Sequence, residues 1–404
     1  MTTNPARSNA ALRPVIAERV DGALRALEAL PASGDEFRPA AAEAIRAAGL
    51  HLLALPQDRG GLGARLRESA AVLAAVGAVD GSSALGLAMQ THVLGSAVES
   101  GAWPAPSFDR LAAAVRDEGA LVNAASTEEG SGSPARGGLP DTRAVRTSGG
   151  WRVSGQKTFT TWLGVLRFAL VSARLIDEAR APDASGEVVI GNLLVDLESP
   201  GVQRVVDFPA LGMRGSASGR LVLDDVAVPP EMLVFARRPS EPDPRGASAQ
   251  GWFAMCLAAT YLGVGEGART AVARWAIDRR PGDGSAAVAD IPTVQVRLGR
   301  LDAALRAARI VVLDVGAGWD AADPAGRHAL LADASLAKIT ATNAAVMATD
   351  EALRIAGGPG FLAGPIERAF RDARAGLINP PLDDVAYQGF ARTLVDRERE
   401  RSHR

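Results

Sequence analysis

The character of the chain changes twice, near Leu121 and near Ala247, and that order restricts the fold more than any single motif. From 12 to 30 apolar residues recur at helical spacing and stop at Pro31-Ala-Ser-Gly34. Residues 37–49 read as a second helix and Gly60-Gly-Leu-Gly63 as a tight turn, with apolar helical stretches over 69–76 and 82–100. Between 121 and about 234 the pattern becomes short β-type runs divided by turn residues: Trp151-Arg-Val-Ser154, Phe168-Ala-Leu-Val-Ser172, Val188-Val-Ile190, Asn192-Leu-Leu-Val195 and Arg220-Leu-Val-Leu223. Helical spacing then returns. Val294, Leu298, Leu301, Leu305, Ala308, Val312 and Val315 alternate in steps of four and three, which predicts one apolar seam of a packed bundle. A long helix over 335–355 ends at Gly357-Gly358, and Arg280-Pro-Gly-Asp-Gly-Ser-Ala286 interrupts the bundle. An α+β protein in three units is expected: helical over 1–120, β over 121–235, helical over 236–404.

Aromatic residues make up only 4% while Ala and Gly are plentiful, which suits close helix packing. With 44 basic and 46 acidic residues and a net charge of -2, nucleic acid is not expected as the main partner. Cys256 is the single cysteine, and His51, His92, His328 and His403 show no ligand spacing, so no metal site is expected. The N-terminal residues lack the apolar core of a signal peptide and no apolar run suffices to span a bilayer, which makes the cytoplasm the expected location.

Thr127-Glu-Glu-Gly-Ser-Gly-Ser133 is a polar, Gly-containing loop of the kind that brings hydroxyls and backbone N–H groups to a phosphate or a flavin edge. It is followed in order by Gly155-Gln-Lys-Thr-Phe-Thr-Thr161, Leu211-Gly-Met-Arg-Gly-Ser216 and Asp225-Val-Ala-Val-Pro229. The N-terminal part adds Pro56-Gln-Asp-Arg-Gly-Gly-Leu-Gly63. The C-terminal part adds Gly357-Gly-Pro-Gly360 and Pro365-Ile-Glu-Arg-Ala-Phe-Arg-Asp-Ala-Arg374. Together, from about 35 to 392, these segments resemble the acyl-CoA dehydrogenase superfamily.

The resemblance implies an N-terminal helical domain, a central β-domain and a C-terminal four-helix bundle. FAD is the implied cofactor, with FMN the less expected flavin. Thr127 and Ser133 match the loop that holds the flavin and its pyrophosphate. Phe159 stands where an aromatic packs on the isoalloxazine, and Thr161 where a hydroxyl bonds near flavin N5. Gln295, Gly357 and Gly358 fall where a neighbouring subunit touches the adenosine half, which implies a homodimer or homotetramer. Arg279 or Arg280 is the position of the cross-subunit arginine, although the usual Arg-x-x-Phe-Gly is absent. Arg214 and Ser216 retain the motif of a thioester-binding segment. Each has a plainer alternative: Phe159 as β-domain core, Gly357-Gly358 as a helix stop.

Pro380 is the departure. In the family a Glu removes the α-proton of a thioester while its own backbone N–H bonds the carbonyl oxygen and hydride passes to the flavin. Stepping forward from Arg371-Asp-Ala-Arg374, Asn379-Pro380-Pro381-Leu382 replaces the usual Tyr-Glu-Gly-Thr. The alternative base position on a bundle helix falls near Phe253 and is not acidic either. Proline offers neither a base nor an N–H. Loss of one such donor costs about 3–4 kcal/mol of transition-state stabilisation, and loss of a positioned base a factor of roughly 10²–10⁴ in rate.

Three readings follow. In the first, the chain resembles the superfamily's oxygenase branch, whose reduced flavin reacts with O₂ in a dry site, with a separate flavin reductase as the electron source. Pro381 fits a His-Asp-Pro type loop there, with Asn379 in place of its His. His92 lies on the helix that lines the pocket; it would donate a hydrogen bond or proton, or simply pack. In the second, an acyl-thioester dehydrogenase uses Asp383, Asp384 or Glu266 as a displaced base, with helix capping as the plainer role of the two aspartates. The third is a flavin-binding or structural homologue without turnover.

Overall fold

Proline and short polar caps set the helix starts in the N-terminal layer of the computed structural model, which describes residues 12–30, 36–130, 138–177, 187–282, 284 and 286–402. Helices α1 (Pro14–Glu28) and α2 (Pro39–Ala47) each begin on a proline at N1, where no intrahelical N–H is lost. Helices α3 (Leu66–Gly77), α4 (Gly81–Ser100) and α5 (Ala105–Glu118) complete the layer. Asp80 caps α4 by accepting from Ser83 N at 3.0 Å. Gly101 and Gly119 end α4 and α5 in the left-handed region, at φ 61° and 64°. Helix α5 has no counterpart in the sequence reading. Its first turn carries Pro106, and its buried face is mostly small residues: Ser107, Ala112 and Ala114 beside Leu111 and Val115.

Eight strands form one sheet in the order β6-β7-β3-β2-β4-β5-β8 with β1 beside β4: β1 (Val122–Ala125), β2 (Arg143–Thr147), β3 (Gly150–Thr160), β4 (Phe168–Ile176), β5 (Ile190–Asp196), β6 (Val202–Val205), β7 (Gly219–Val228) and β8 (Leu233–Arg237). Strands β1 and β2 share one edge of β4 end to end, both parallel to it: Val122 faces Phe168 and Arg143 faces Arg174. The two runs separated in the sequence at Gly191 belong together. A Cβ at Gly191 would lie 2.5 Å from Leu175 Cδ2, so this glycine permits close approach inside the sheet and marks no turn.

The last third is helical: α6 (Ala247–Asp278), α7 (Pro292–Ala321), α8 (Pro324–Ala329), α9 (Leu331–Ala356), α10 (Gly358–Phe361), α11 (Pro365–Ile378) and α12 (Asp383–Ser402). The predicted seam lies on α7, where Leu301, Leu305, Ala308 and Val312 are buried and Val294, Leu298 and Val315 pack at its edges. Helix α6 is the hub and touches α3, α4, α7, α9 and α11. Among the described residues no helix is long and apolar enough to cross a membrane.

Contact between α3 and α6 is backbone to backbone. A Cβ on Gly263 would meet Ala74 O at 2.4 Å, and one on Gly77 would meet Thr260 O at 2.7 Å. On α4, Gly86 lies under the Trp162 ring and Gly95 under the Trp252 ring. Backbone cannot yield as a side chain can, so Gly263→Ala is expected to lower the unfolding free energy by about 1–3 kcal/mol. Denaturant melts would show it as a lower midpoint at unchanged slope.

Candidate active site

Strand β3 ends in strain. Phe159 and Trp162 take positive φ (54° and 61°), as do Met213 and Ala217 (56° and 43°) in the segment beside it. Non-glycine residues in this region cost energy, and such residues gather at functional sites. Cross-links hold the two segments together: Trp162 N donates to Ser216 O at 2.8 Å, and Thr161 Oγ1 shares a 2.8 Å hydrogen bond with Ser218 Oγ. Ser218 Oγ is in turn 2.8 Å from Ser216 Oγ, so three buried hydroxyls form a chain. Asn123 Nδ2 donates to Thr161 O at 3.2 Å.

The loop carrying Thr127 is stapled to β3. Thr158 N donates to Thr127 O at 2.9 Å. Next to it, Lys157 Nζ lies 2.5 Å from Glu128 Oε1 with both side chains buried. Burial works against charge on Glu128, but Lys157, the Thr142 hydroxyl and the Asp141 N–H outweigh it and hold the carboxyl down at about 2. Ser133 lies outside the described residues.

This region fits the flat, polar-edged group that the motifs imply. Thr158 Oγ1, Thr160 Oγ1 and Asn123 Oδ1 are buried without a hydrogen-bond partner among the described residues. Beside them Phe159 is 59% exposed, with its ring edge-on to Phe208 at 6.1 Å, which excludes the plain core role. Open acceptors and hydroxyls next to an uncovered aromatic face suit an isoalloxazine. Thr161 is buried and already bonded to Ser218.

Where α4 meets α6, the His92 and Phe253 rings pack edge to face at 5.1 Å. His92 is buried, and burial, reinforced by the nearby Arg245 charge, pushes its pKa down to about 3. Its imidazole is therefore neutral at ordinary pH.

The segment around Pro380 is held from three sides. Lys338 Nζ, fully buried, donates to Gly376 O at 2.8 Å, Asn379 Nδ2 donates to Tyr261 Oη at 2.6 Å, and Asn343 Nδ2 donates to Asp383 Oδ2 at 2.7 Å. Burial lowers the Lys338 pKa to about 8, against the pull of Asp383 at 4.0 Å. The Pro380–Pro381 bond is cis.

The other expected site residues have the following surroundings. Glu266 makes a two-pronged ion pair with Arg309, linking α6 to α7, and is not free to act as a base. Asp383 sits at the N-terminus of α12 between Asn343 and Lys338, and Asp384 is exposed beside it. Arg214 is exposed and donates through Nε to Ala210 O at 2.6 Å, while Ser216 is fully buried in the hydroxyl chain. Arg280, Gln295, Gly357 and Gly358 are exposed on the bundle, Gln295 donating to Ala289 O at 3.1 Å. Gly357 closes α9 at φ 60°. Ser218, Tyr261 and Lys338 escaped the sequence reading. A lone lysine inside Leu336-Ala-Lys-Ile339 was the available signal for Lys338. Among the described residues no group of His, Cys, Asp and Glu could hold a metal ion.

The sequence matches the acyl-CoA dehydrogenase middle domain over residues 123–226 and the acyl-CoA dehydrogenase C-terminal domain over residues 255–378. The chain belongs to the acyl-CoA dehydrogenase family. A Bacillus subtilis (strain 168) protein named for that family, YdbM, is 32% identical over 379 residues, covering 90% of this chain and 95% of the relative. The 3-sulfinopropanoyl-CoA desulfinase of Paraburkholderia xenovorans (strain LB400) is 29% identical over 355 residues, 87% of each chain. Among solved structures, FMN-bound TdsC from Paenibacillus sp. A11-2, a dibenzothiophene monooxygenase, shares the fold with a TM-score of 0.79 at 21% identity, covering 92% of this chain and 95% of that one.

The His92 environment gives a pH test. Its folded pKa (about 3) lies below the ordinary 6.5, so the unfolded chain takes up the proton first as pH falls. Burying His92 therefore costs stability progressively between pH 6.5 and about 3 and costs none of this kind above pH 6.5. Lowering the pH below 6.5 should destabilise the parent relative to His92→Leu, and the His92 ring signal should not titrate between about pH 5 and 8.

Proposed function

We propose that this chain is an FAD-dependent oxidoreductase that uses O₂ as co-substrate on an acyl thioester or a specialised biosynthetic intermediate. One observation carries the reading. Pro380 stands at the base position, and the nearby buried carboxylates are already engaged: Glu266 by Arg309 and Asp372 by the Met213 N–H at 2.5 Å. Among the described residues these carboxylates are tied to other partners, and neither stands at the base position.

A bound flavin would supply hydride acceptance and, once reduced, reaction with O₂. Asn123, Thr158 and Thr160 would hold its polar edge, Phe159 would cover its ring, and the Glu128–Lys157 pair would fix the loop bearing Thr127. The neutral imidazole of His92 donates or accepts a hydrogen bond without bringing a charge into the pocket, and Phe253 keeps water from it. Arg214 and Ser216 remain the proposed thioester-side residues. The names of a desulfinase relative and a monooxygenase of the same fold support a scaffold open to chemistry other than dehydrogenation.

FAD rather than FMN rests on Gln295, Gly357, Gly358 and Arg280. These stand exposed on the bundle where a second subunit would bring them to an adenosine. Along α12, Val385, Tyr387, Leu394 and Val395 are exposed apolar residues of the kind a homodimer or homotetramer covers. A separate flavin reductase is the proposed source of electrons.

The visible spectrum of the flavin-loaded protein tests this. Anaerobic addition of acyl-CoA thioesters is expected to leave the flavin oxidised, and reduction by dithionite followed by O₂ is expected to give substrate-dependent oxygen consumption beyond simple reoxidation. Bleaching by a thioester alone would establish a dehydrogenase instead. Asp383→Asn with Asp384→Asn should leave the O₂-dependent turnover within about a factor of two, whereas removing a true base would cost roughly 10²–10⁴.

A further inference from the structure

Beyond the His92–Phe253 contact the seam between α4 and α6 runs on to a second, separate feature. One turn further along α4, Gly95 lies beneath Trp252, and a turn beyond that Glu99 reaches Ser248. Here the segment 54–65, the end of α4, the start of α6 and Arg327 of α8 enclose a cleft of about 490 Å³. Its volume is that of a small-molecule site.

The cleft has donors and few acceptors left to meet them. Trp252 is 3% exposed and lines the cleft with its ring. Arg327, with a side chain only 14% exposed, engages Trp319 O at 3.4 Å and Glu99 Oε2 at 3.6 Å, both through Nε. Among the described residues no hydrogen bond engages its two terminal nitrogens. Glu99, a half-buried carboxylate on the wall, already accepts from Trp319 Nε1 at 3.0 and 3.1 Å and from Ser248 Oγ at 2.7 Å. Asp58 lies exposed at the rim. A buried donor left unpaired is costly, and a guanidinium fork with free nitrogens matches the two oxygens of a carboxylate or phosphate. Ala54, Pro56, Ala64, Val98 and the Trp252 ring supply the apolar remainder of the wall.

We infer that this cleft binds an organic oxyanion, its carboxylate or phosphate meeting Arg327 and its apolar body lying against the Trp252 ring and Val98. The site depends on side chains outside the flavin region and stands whichever reaction the flavin supports.

Calorimetric titration of the whole, flavin-loaded protein tests it with matched probes: phenylacetate and 4-phenylbutyrate, each against its uncharged amide, and phenyl phosphate. At least one anion is expected to bind tenfold or more tighter than its neutral partner, as about one charge-assisted hydrogen bond would give. Which anion is preferred separates carboxylate from phosphate recognition. Arg327→Leu should abolish the preference, and Arg327→Lys should restore part of it. Equal binding of anion and amide to the parent protein, a measurement that needs no variant, would overturn the inference. So would an anion preference that survives in a folded Arg327→Leu protein.

Discussion

Everything between the N-terminal and C-terminal helical layers depends on how closely α3 and α6 approach. Gly77 and Gly263 set that distance, because each occupies the place where the other helix puts its backbone. Gly267 continues the contact against Ala78 O, and on the opposite side of α6 Gly265 admits Leu305 and Ala345. With α6 drawn in, α4 lies along it, and the two helices bring His92 to Phe253, Gly95 to Trp252 and Glu99 to Ser248. The low aromatic content and the abundance of Ala and Gly now have a physical reason. Large side chains at these crossings would move the helices apart and open the seam on which the site is built.

The sheet contributes a different kind of constraint. Its loop-facing end is organised by polar bonds in a dry setting, and the Glu128–Lys157 pair is the strongest of them. Both groups lose water on folding, and their mutual attraction counts only because Thr142, Ser172 and the Asp141 N–H fill the remaining valences. Such a pair adds little net stability compared with apolar packing, but removal of one partner strands a buried charge at a cost of about 3–5 kcal/mol. Its effect is to fix one position of the Thr127 loop relative to Thr158. The Thr158 and Thr160 hydroxyls and the Phe159 face are thereby fixed relative to that loop.

Periodicity made the long helices and the longer strands legible, because burial on one face imposes a repeat that tertiary context rarely erases. The α7 seam was readable for that reason. Strands β1, β6 and β8, of four or five residues, carry too little repeat to stand out, and Gly191 looked like punctuation although it serves close packing. For the proposed site, ordered motifs pointed to Thr127, Phe159 and Thr161, and a proline at position 380 is plain in the sequence. Partner choice was not visible. Glu266 looks like an available carboxylate until Arg309 arrives from 43 positions away, and Tyr261 acquires a role only through Asn379, 118 positions on. Neither distance leaves a trace in local sequence.

The segment after α11 shows how the scaffold holds its shape without the base. Its polar atoms are directed inward to fixed partners: Gly376 O to Lys338, Asn379 to Tyr261 and Asp383 to Asn343. A carboxylate displaced from position 380 to 383 would have to leave Asn343 and the neighbouring ammonium to reach a substrate, giving up two favourable contacts in a partly buried setting. Lys338 opposes that movement further. Its buried charge is relieved by Gly376 O and by the field of Asp383, so withdrawing the carboxylate would leave the amine more poorly compensated. Asp383 is thus part of what holds the Pro380 segment in place. The proposed O₂ chemistry rests on this arrangement: proline at position 380 can supply neither a base nor an N–H, and Asp383, close by, is tied into the scaffold.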